Sequence, residues 1–394
     1  MNILFISNGS AEDSIAVSLI RQWLRFKEDD RVAALAMVGL GKEYIKNDIP
    51  LIAPPLKLPS NGFAYQNPLY IYKDLTAGLP SHLMRQYKAL KELRSQIDYV
   101  VGVGDIVPVI AARIINKPNA FIGCAMSDYY LQPNSSQISS YSGIKRDMLK
   151  KMNSIVFPRD VLTTNNLIRL GIKAEYHGNP MMDNIEYSKT LNLNLHKNAR
   201  VIGILPGGHD DARENFRHIM SIVQRLAYSK PLTFLVAVSD RENVVRFGKD
   251  LAKLNWFLQK SDPKHQVWKN NKDEVQLLNG YFGNVLLGSH VIIGLSGTGN
   301  EQSAGIGTPV ISFPCGRIQY TKKFGVAQKR LLGKALTFLG GSNPSPELLL
   351  KFINRALNDE KYRNQVRELA VERFGEFGAS ERIVYRILQT IHNV

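Results

Sequence analysis

The stretch Gly294-Leu295-Ser296-Gly297-Thr298-Gly299-Asn300-Glu301-Gln302 has the residue types of an anion cradle. The apolar run 290–293 before it reads as a buried strand, residues 300–306 as a short helix, and Pro309 as the opening of another strand. At such a strand-to-helix turn, free backbone N–H groups meet the positive end of a helix dipole, and both attract phosphate. Ser296, Gly297 and Thr298 form the turn, and glycine lets backbone come close to a ligand. Glu301 is the odd member, because a carboxylate repels phosphate. It suits the hydroxyls of a ribose, or, on the plainer reading, it stabilises the first turn of the helix.

Three more glycine turns follow apolar runs: Asn8-Gly9-Ser10, Gly102-Val103-Gly104-Asp105 and Pro206-Gly207-Gly208. None is GxGxxG and the chain has no GxxxxGK[ST], which argues against dinucleotide and P-loop chemistry. No two aspartates stand two residues apart, and no histidines have HxxxH spacing, so the residues suggest no metal site. Asp105 stands at the mouth of a strand among apolar residues. It can serve as a general base, or as the N-cap of a helix over 109–115. Glu12 and Asp13 follow the first glycine turn, Gly9-Ser10, and can face the same cleft as Asp105, or simply stabilise a helix N-terminus. Asp128, after the strand ending at Cys124, is a further substrate-site candidate. Asn179 lies in His177-Gly178-Asn179-Pro180, a segment that reads equally as a hinge turn and as a binding loop.

The elements that must position these residues are short Val/Ile-rich runs alternating with amphipathic segments. Strands are expected at 2–7, 32–38, 99–103, 119–124 and 155–157, and again at 200–205, 233–238, 291–294 and 310–313. The pattern predicts an α/β fold of parallel sheets with helices on both faces, whose sites lie beyond the strands' C-terminal ends. With 394 residues the chain suits two doubly wound Rossmann-like domains, 1–195 and 196–394, joined by the polar stretch 183–198. The last helix, 379–392, is expected to cross back onto the first domain.

Hydrophobic content of 44% and charged content of 21% are those of a globular protein. Cys124 and Cys315 read as buried free thiols in a reducing compartment. The N-terminus lacks a signal peptide's basic flank and apolar run, and no stretch approaches the roughly 20 apolar residues of a membrane span. The expected location is cytoplasmic, peripheral at the inner face of a membrane. The net charge of +16 is dispersed, without a nucleic-acid-binding motif, and suits anionic small molecules or an anionic membrane surface. Residues 59–84 are rich in aromatic and apolar side chains and lead into a basic helix over 85–94. That combination fits a lipid-headgroup contact, and equally an ordinary core helix with its loop.

Taken together, these motifs resemble the glycosyltransferases with two facing doubly wound domains, the GT-B architecture. Within them the chain resembles the lipid-A-disaccharide synthases, in particular the related cyanobacterial and plastid proteins. The likeness is carried by Leu58-Pro59-Ser60-Asn61-Gly62-Phe63, Val103-Gly104-Asp105-Ile106-Val107-Pro108, Ser127-Asp128-Tyr129-Tyr130-Leu131 and Phe157-Pro158-Arg159-Asp160. It continues through Gly178-Asn179-Pro180-Met181-Met182-Asp183, Leu205-Pro206-Gly207-Gly208, Gly297-Thr298-Gly299-Asn300-Glu301-Gln302 and Gln328-Lys329-Arg330-Leu331-Leu332-Gly333. It spans essentially the whole chain.

The resemblance implies an inverting transferase that needs no metal or other cofactor. Its acceptor, a lipid or membrane-surface molecule, would bind the N-terminal domain, and a nucleotide-sugar, usually UDP-linked, the C-terminal one. It makes Asp105 the base that deprotonates the acceptor hydroxyl and Glu301 the ribose ligand. Gly207, Gly208, Ser296, Gly297 and Thr298 would cradle the diphosphate, with Gln302 and Gln319 touching sugar or phosphate. Where the family usually has Pro-Gly-Ser-Arg this chain has Pro206-Gly207-Gly208-His209, so a phosphate-pairing arginine is replaced by a weaker, pH-dependent cation. Arg213, one helical turn on, is placed to compensate. A nucleotide-sugar 2-epimerase of the same fold and a non-catalytic sugar-nucleotide-binding scaffold are the competing readings.

Overall fold

The computed structural model describes residues 1–56, 68–132, 134–195, 199–208, 211–315 and 320–392. His209, Gln319 and the segment 58–63 lie outside the described residues. The chain divides into two compact units, Met1–Asn184 with Phe374–Val394, and Ile185–Arg373.

The first unit runs β1 (Asn2–Ser7), α1 (Ser10–Phe26), β2 (Arg31–Ala36), α2 (Lys42–Lys46), α3 (Pro68–Thr76), α4 (Leu79–Leu93) and β3 (Tyr99–Val103). It continues through α5 (Ile106–Ile115), β4 (Asn119–Gly123), α6 (Gly143–Lys151), β5 (Ile155–Pro158) and α7 (Val161–Arg169). Its described strands form one parallel sheet in the order β2-β1-β3-β4-β5. Alternation along β1 sorts the side chains onto two faces. Leu4 and Ile6 join Leu90 of α4 and Ala111, Ala112 and Ile115 of α5 in one apolar cluster. Phe5 meets Trp23 of α1 edge-on, ring centroids 6.1 Å apart. Burial on both faces is why these strands read as unbroken apolar runs.

The second unit runs β6 (Arg200–Leu205), α8 (Ala212–Val223), β7 (Leu232–Val238), α9 (Arg241–Lys253), β8 (Phe257–Ser261), β9 (His265–Asn270), β10 (Asp273–Asn279) and α10 (Phe282–Gly288). Then come β11 (Val291–Gly294), α11 (Thr298–Gly305), β12 (Val310–Ser312), α12 (Lys322–Leu332), β13 (Leu336–Phe338), α13 (Pro346–Asn358) and α14 (Glu360–Phe374). The described strands follow the order β13-β12-β11-β6-β7-β10-β9-β8, with β9 antiparallel to both β10 and β8 and the other neighbours parallel. Phe216 of α8 stacks on Phe247 of α9 with centroids 4.2 Å apart, locking the two helices together.

One boundary differs from the expected one, and the final helix lies where it was expected. The first unit ends at Asn184 rather than 195, because the polar stretch is bound to the second unit. Ser188 exchanges hydrogen bonds with Asn284 of α10, and the Leu193 carbonyl accepts from Gln276 of β10. The final helix, α15 (Ala379–His392), belongs to the first unit and packs on α1. Asp183 holds its start, accepting from the N–H groups of Gly378 and Ser380 at 2.6 Å each. Glu175 takes Arg386 in a two-pronged ion pair at 2.7 and 2.8 Å, and that guanidinium holds the Glu175 carboxyl below its usual range. Asp183→Ala strips α15 of its cap and is expected to cost about 1–2 kcal/mol in urea denaturation. Hydrogen-exchange protection should fall first across 378–390. Wild-type protection there would show that Asp183 does not anchor the helix.

Candidate active-site loops

Each sheet begins in its interior and then grows outward in both directions, which creates a switch point where ligands bind in open α/β sheets. In the first unit that point lies between β1 and β3, which pair directly, Ser7 against Val103. In the second it lies between β6 and β11, Leu205 against Gly294. The four glycine turns of the sequence fall on these two points.

At the first switch point the Asn8 side-chain amide donates to Asp105 Oδ1 at 2.8 Å, and the Val107 N–H donates to the same oxygen at 2.8 Å. Asp105 is thus the N-cap of α5, and its one oxygen carries both bonds. Among the described residues nothing bonds to Oδ2. The cap and the base readings are therefore compatible in one side chain. Glu12 lies across the turn, so that a Cβ on Gly9 would overlap its carboxylate. Gly9 and Ser10 therefore open onto an acidic mouth shared by Glu12 and Asp105, which suits a hydroxyl better than a phosphate. Behind it Asp13 is buried, accepting from Ser7 Oγ at 2.6 Å, and burial pushes its carboxyl up to about 7. Burial, and then Glu12, hold the Cys124 thiol well above its ordinary value, which leaves it unreactive.

Asp128 and Asn179, expected at the substrate, are engaged inside the unit. Asp128 Oδ1 accepts from Ser139 Oγ, Ser140 N and Ser140 Oγ at 2.7–2.9 Å, and Oδ2 from Asn166 at 2.9 Å. Such a carboxylate fixes the 139–140 turn onto α7. Asn179 is fully buried. Its N–H donates to the Phe374 carbonyl and its Oδ1 accepts from Met181, closing the turn that leads to Asp183.

At the second switch point two loops touch. Gly207 has φ +97°, and a Cβ there would press on the Leu295 carbonyl at 3.3 Å. Glycine therefore lets the β6 loop lie against the β11 loop. The Pro206 carbonyl is tied to Asn215 of α8 at 2.8 Å. Among the described residues no partner takes the N–H of Gly207, Gly208, Gly297 or Thr298, so the two adjoining loops both carry amides without an internal partner. Ser296 Oγ caps α11, accepting from Gly299 N at 3.2 Å. Glu301 and Gln302 are buried in the first turns of α11, Glu301 at 7% exposure. Arg213 does not stand free to replace an arginine at position 209. Its guanidinium makes a two-pronged pair with the buried Asp250 at 2.8 and 2.9 Å.

Asn8, Asn300, Gln328 and Tyr320 join these loops without a motif in the sequence that marks them as site residues. Their partners lie 6 to 97 positions away, and the apolar runs around them carry the signal in the sequence.

No family model and no curated protein matches this chain. Solved structures match along its whole length. A UDP-GlcNAc 2-epimerase from Neisseria meningitidis, bound to UDP-GlcNAc, aligns over 99% of this chain and 100% of its own, with 14% identity and a TM-score of 0.56. MurG of Acinetobacter baumannii aligns over 98% and 99%, with 14% identity and a TM-score of 0.54. The calicheamicin glycosyltransferase CalG4 aligns over 100% and 98%, with 13% identity and a TM-score of 0.62. Identities this low speak to fold alone. The fold is GT-B, with two Rossmann-like units.

Proposed function

We propose that the protein is a glycosyltransferase related to the lipid-A-disaccharide synthases. It moves a sugar from a nucleotide-diphosphate donor, UDP-linked by preference, to a hydroxyl of a lipid or membrane-surface acceptor. The observation that carries this reading is the paired amide surface of Gly207, Gly208, Gly297 and Thr298 at the second unit's switch point. Unpaired N–H groups and the α11 dipole neutralise a diphosphate while Arg213 is engaged by Asp250, and no metal need intervene. They stabilise the charge that grows on the departing diphosphate. Gln302 then faces the sugar end and Glu301 the ribose. The first unit supplies the opposite chemistry, an acidic mouth where Asp105 takes the acceptor's proton.

A second reading rests on a specific observation too. The full-length likeness to an epimerase bound to UDP-GlcNAc, together with the carboxylates of the first switch point, supports proton transfer on the donor sugar itself. The two readings share the donor site and differ in the need for an acceptor.

Among the described residues no helix is long and apolar enough to cross a membrane. For a lipid acceptor the contact surface we favour is α4, where Leu83, Met84 and Tyr87 are exposed beside Arg85, Lys88 and Lys91. The protein then works at the cytoplasmic face of that membrane.

Calorimetric titration with UDP and ADP, with and without EDTA, tests the donor site. UDP binding is expected to survive EDTA. Glu301→Ala should weaken it on the order of 10- to 100-fold, the worth of a charge-assisted hydrogen bond of about 1.5–3 kcal/mol. Absence of binding by either nucleotide would overturn both enzyme readings, whereas binding without turnover would favour the scaffold. Incubation with UDP-GlcNAc alone in D2O then separates the enzymes. Deuterium at C2 without acceptor means epimerase, and UDP release only with acceptor means transferase.

A further inference from the structure

The amide surface described above does not hold its own shape. The turn 295–299 is too short to fix the direction of its peptide groups, and Ser296 Oγ caps only one of them. The rest is done from α12. Phe324 and Gln328 stand four residues apart, on one face of that helix. The Phe324 ring lies 3.4 Å from where a Cβ of Gly297 would be, and the Gln328 side-chain amide donates to the carbonyls of Gly297 at 2.9 Å and Ser296 at 3.3 Å.

Gln328 is itself held. Its Oε1 accepts from Tyr320 OH at 2.6 Å and from Asn300 Nδ2 at 3.0 Å. Asn300 Nδ2 also reaches the Gly294 carbonyl at 3.1 Å, which Ser312 Oγ binds at 2.5 Å. Gln328, Asn300, Tyr320 and Ser312 are all buried, with exposures of 0–3%. Among the described residues Asn300 Oδ1 stays without a partner, but the other bonds lie in a dry setting where each is expensive to break, and together they favour this arrangement. With the carbonyls of Ser296 and Gly297 drawn toward α12, the N–H groups of Gly297 and Thr298 are left to face away from it.

We propose that Gln328 is a positioning residue for the diphosphate, braced by Tyr320 and Asn300, which sets the direction of the loop amides without touching the ligand. The proposal rests on the donor-site reading above. It assigns Gln328 a specific thermodynamic signature. Affinity for the phosphates depends on it and affinity for the nucleoside does not.

The test compares wild type, Gln328→Met and Tyr320→Phe by calorimetry with three probes: UDP, uridine and inorganic pyrophosphate. Met keeps the length of Gln and removes its donors. Loss of preorganisation is expected to weaken UDP and pyrophosphate on the order of tenfold in Gln328→Met, with uridine unchanged. Tyr320→Phe leaves Gln328 present but unbraced, and is expected to show a smaller loss with the same selectivity. It also keeps the proposal testable should Gln328→Met fail to fold. Equal loss for all three probes, or no loss in either variant, would overturn the assignment while wild-type UDP binding left the donor reading standing. Failure of the wild type to bind UDP or pyrophosphate would remove the donor reading and this assignment with it.

Discussion

Asp105→Asn is expected to lower turnover by roughly a hundredfold to ten-thousandfold, the usual worth of a positioned general base, while leaving the protein as stable as before. The separation of the two effects comes from the geometry of one carboxylate. Asn8 and the Val107 amide both donate to Oδ1. An asparagine oxygen accepts both bonds equally well, so α5 keeps its cap and the β1–β3 switch point keeps its shape. Only the second oxygen changes, from a proton acceptor to an NH2 donor. The nucleotide loops belong to the other unit, so UDP affinity should be that of the wild type. Asp105→Ala is the contrasting variant. It loses the base and the cap together, adding a stability cost of about 1 kcal/mol. Turnover at the wild-type rate in Asp105→Asn, with either UDP-sugar and acceptor or UDP-sugar alone, would reduce Asp105 to a helix cap. The prediction holds for a transferase and an epimerase alike, because both need a base at this mouth.

What was legible in the sequence was whatever depended on neighbours along the chain. Strands such as Tyr99–Val103 and Val291–Gly294 are buried throughout, so each shows as an unbroken apolar run, and the glycines that follow mark the turns. Strand β8 was invisible for the opposite reason. All five of its residues are exposed and its pairing to β9 is all that makes it a strand. β10 opens with Asp273 and Glu274, and β13 is only three residues long, so neither shows an unbroken apolar run. Side-chain roles set by distant partners were equally hidden. Asp128 reads as a site carboxylate until Ser139, Ser140 and Asn166 are found to consume it, and Arg213 reads as a phosphate ligand until Asp250 does. The glycine turns, by contrast, fall on both switch points, because the close approach of neighbouring loops there demands small residues.

Asp13 predicts a pH dependence of stability that runs opposite to acid denaturation. Its carboxyl, 2% exposed in the first turn of α1, is raised from 3.8 to about 7, by burial first, with Glu12 and Glu43 adding repulsion and the Ser7 hydroxyl opposing. Ser7 Oγ is in turn 2.5 Å from the hydroxyl of Tyr44 on α2, itself buried, so no solvent bond replaces those lost. In the unfolded chain the same carboxyl ionises near 3.8. Between about pH 4 and pH 7 the folded protein therefore holds a proton that the unfolded chain has released, and stability falls as pH rises. Below that window both states are protonated and above it both are ionised, so the dependence stops at either end. At 1.36 kcal/mol for each tenfold change in proton affinity, the whole effect is roughly 4 kcal/mol. Asp13→Asn keeps the shape, stays neutral, and should remove this contribution. In urea titrations the variant is expected to gain on the wild type steadily from pH 5 to pH 8, by a few kcal/mol in all, with the largest difference above pH 7. Other groups titrate in both proteins and cancel in that difference. Parallel stability curves for the two proteins would mean that Asp13 is ionised in the fold already, and that its hydroxyl neighbours and local solvent meet the cost of its charge.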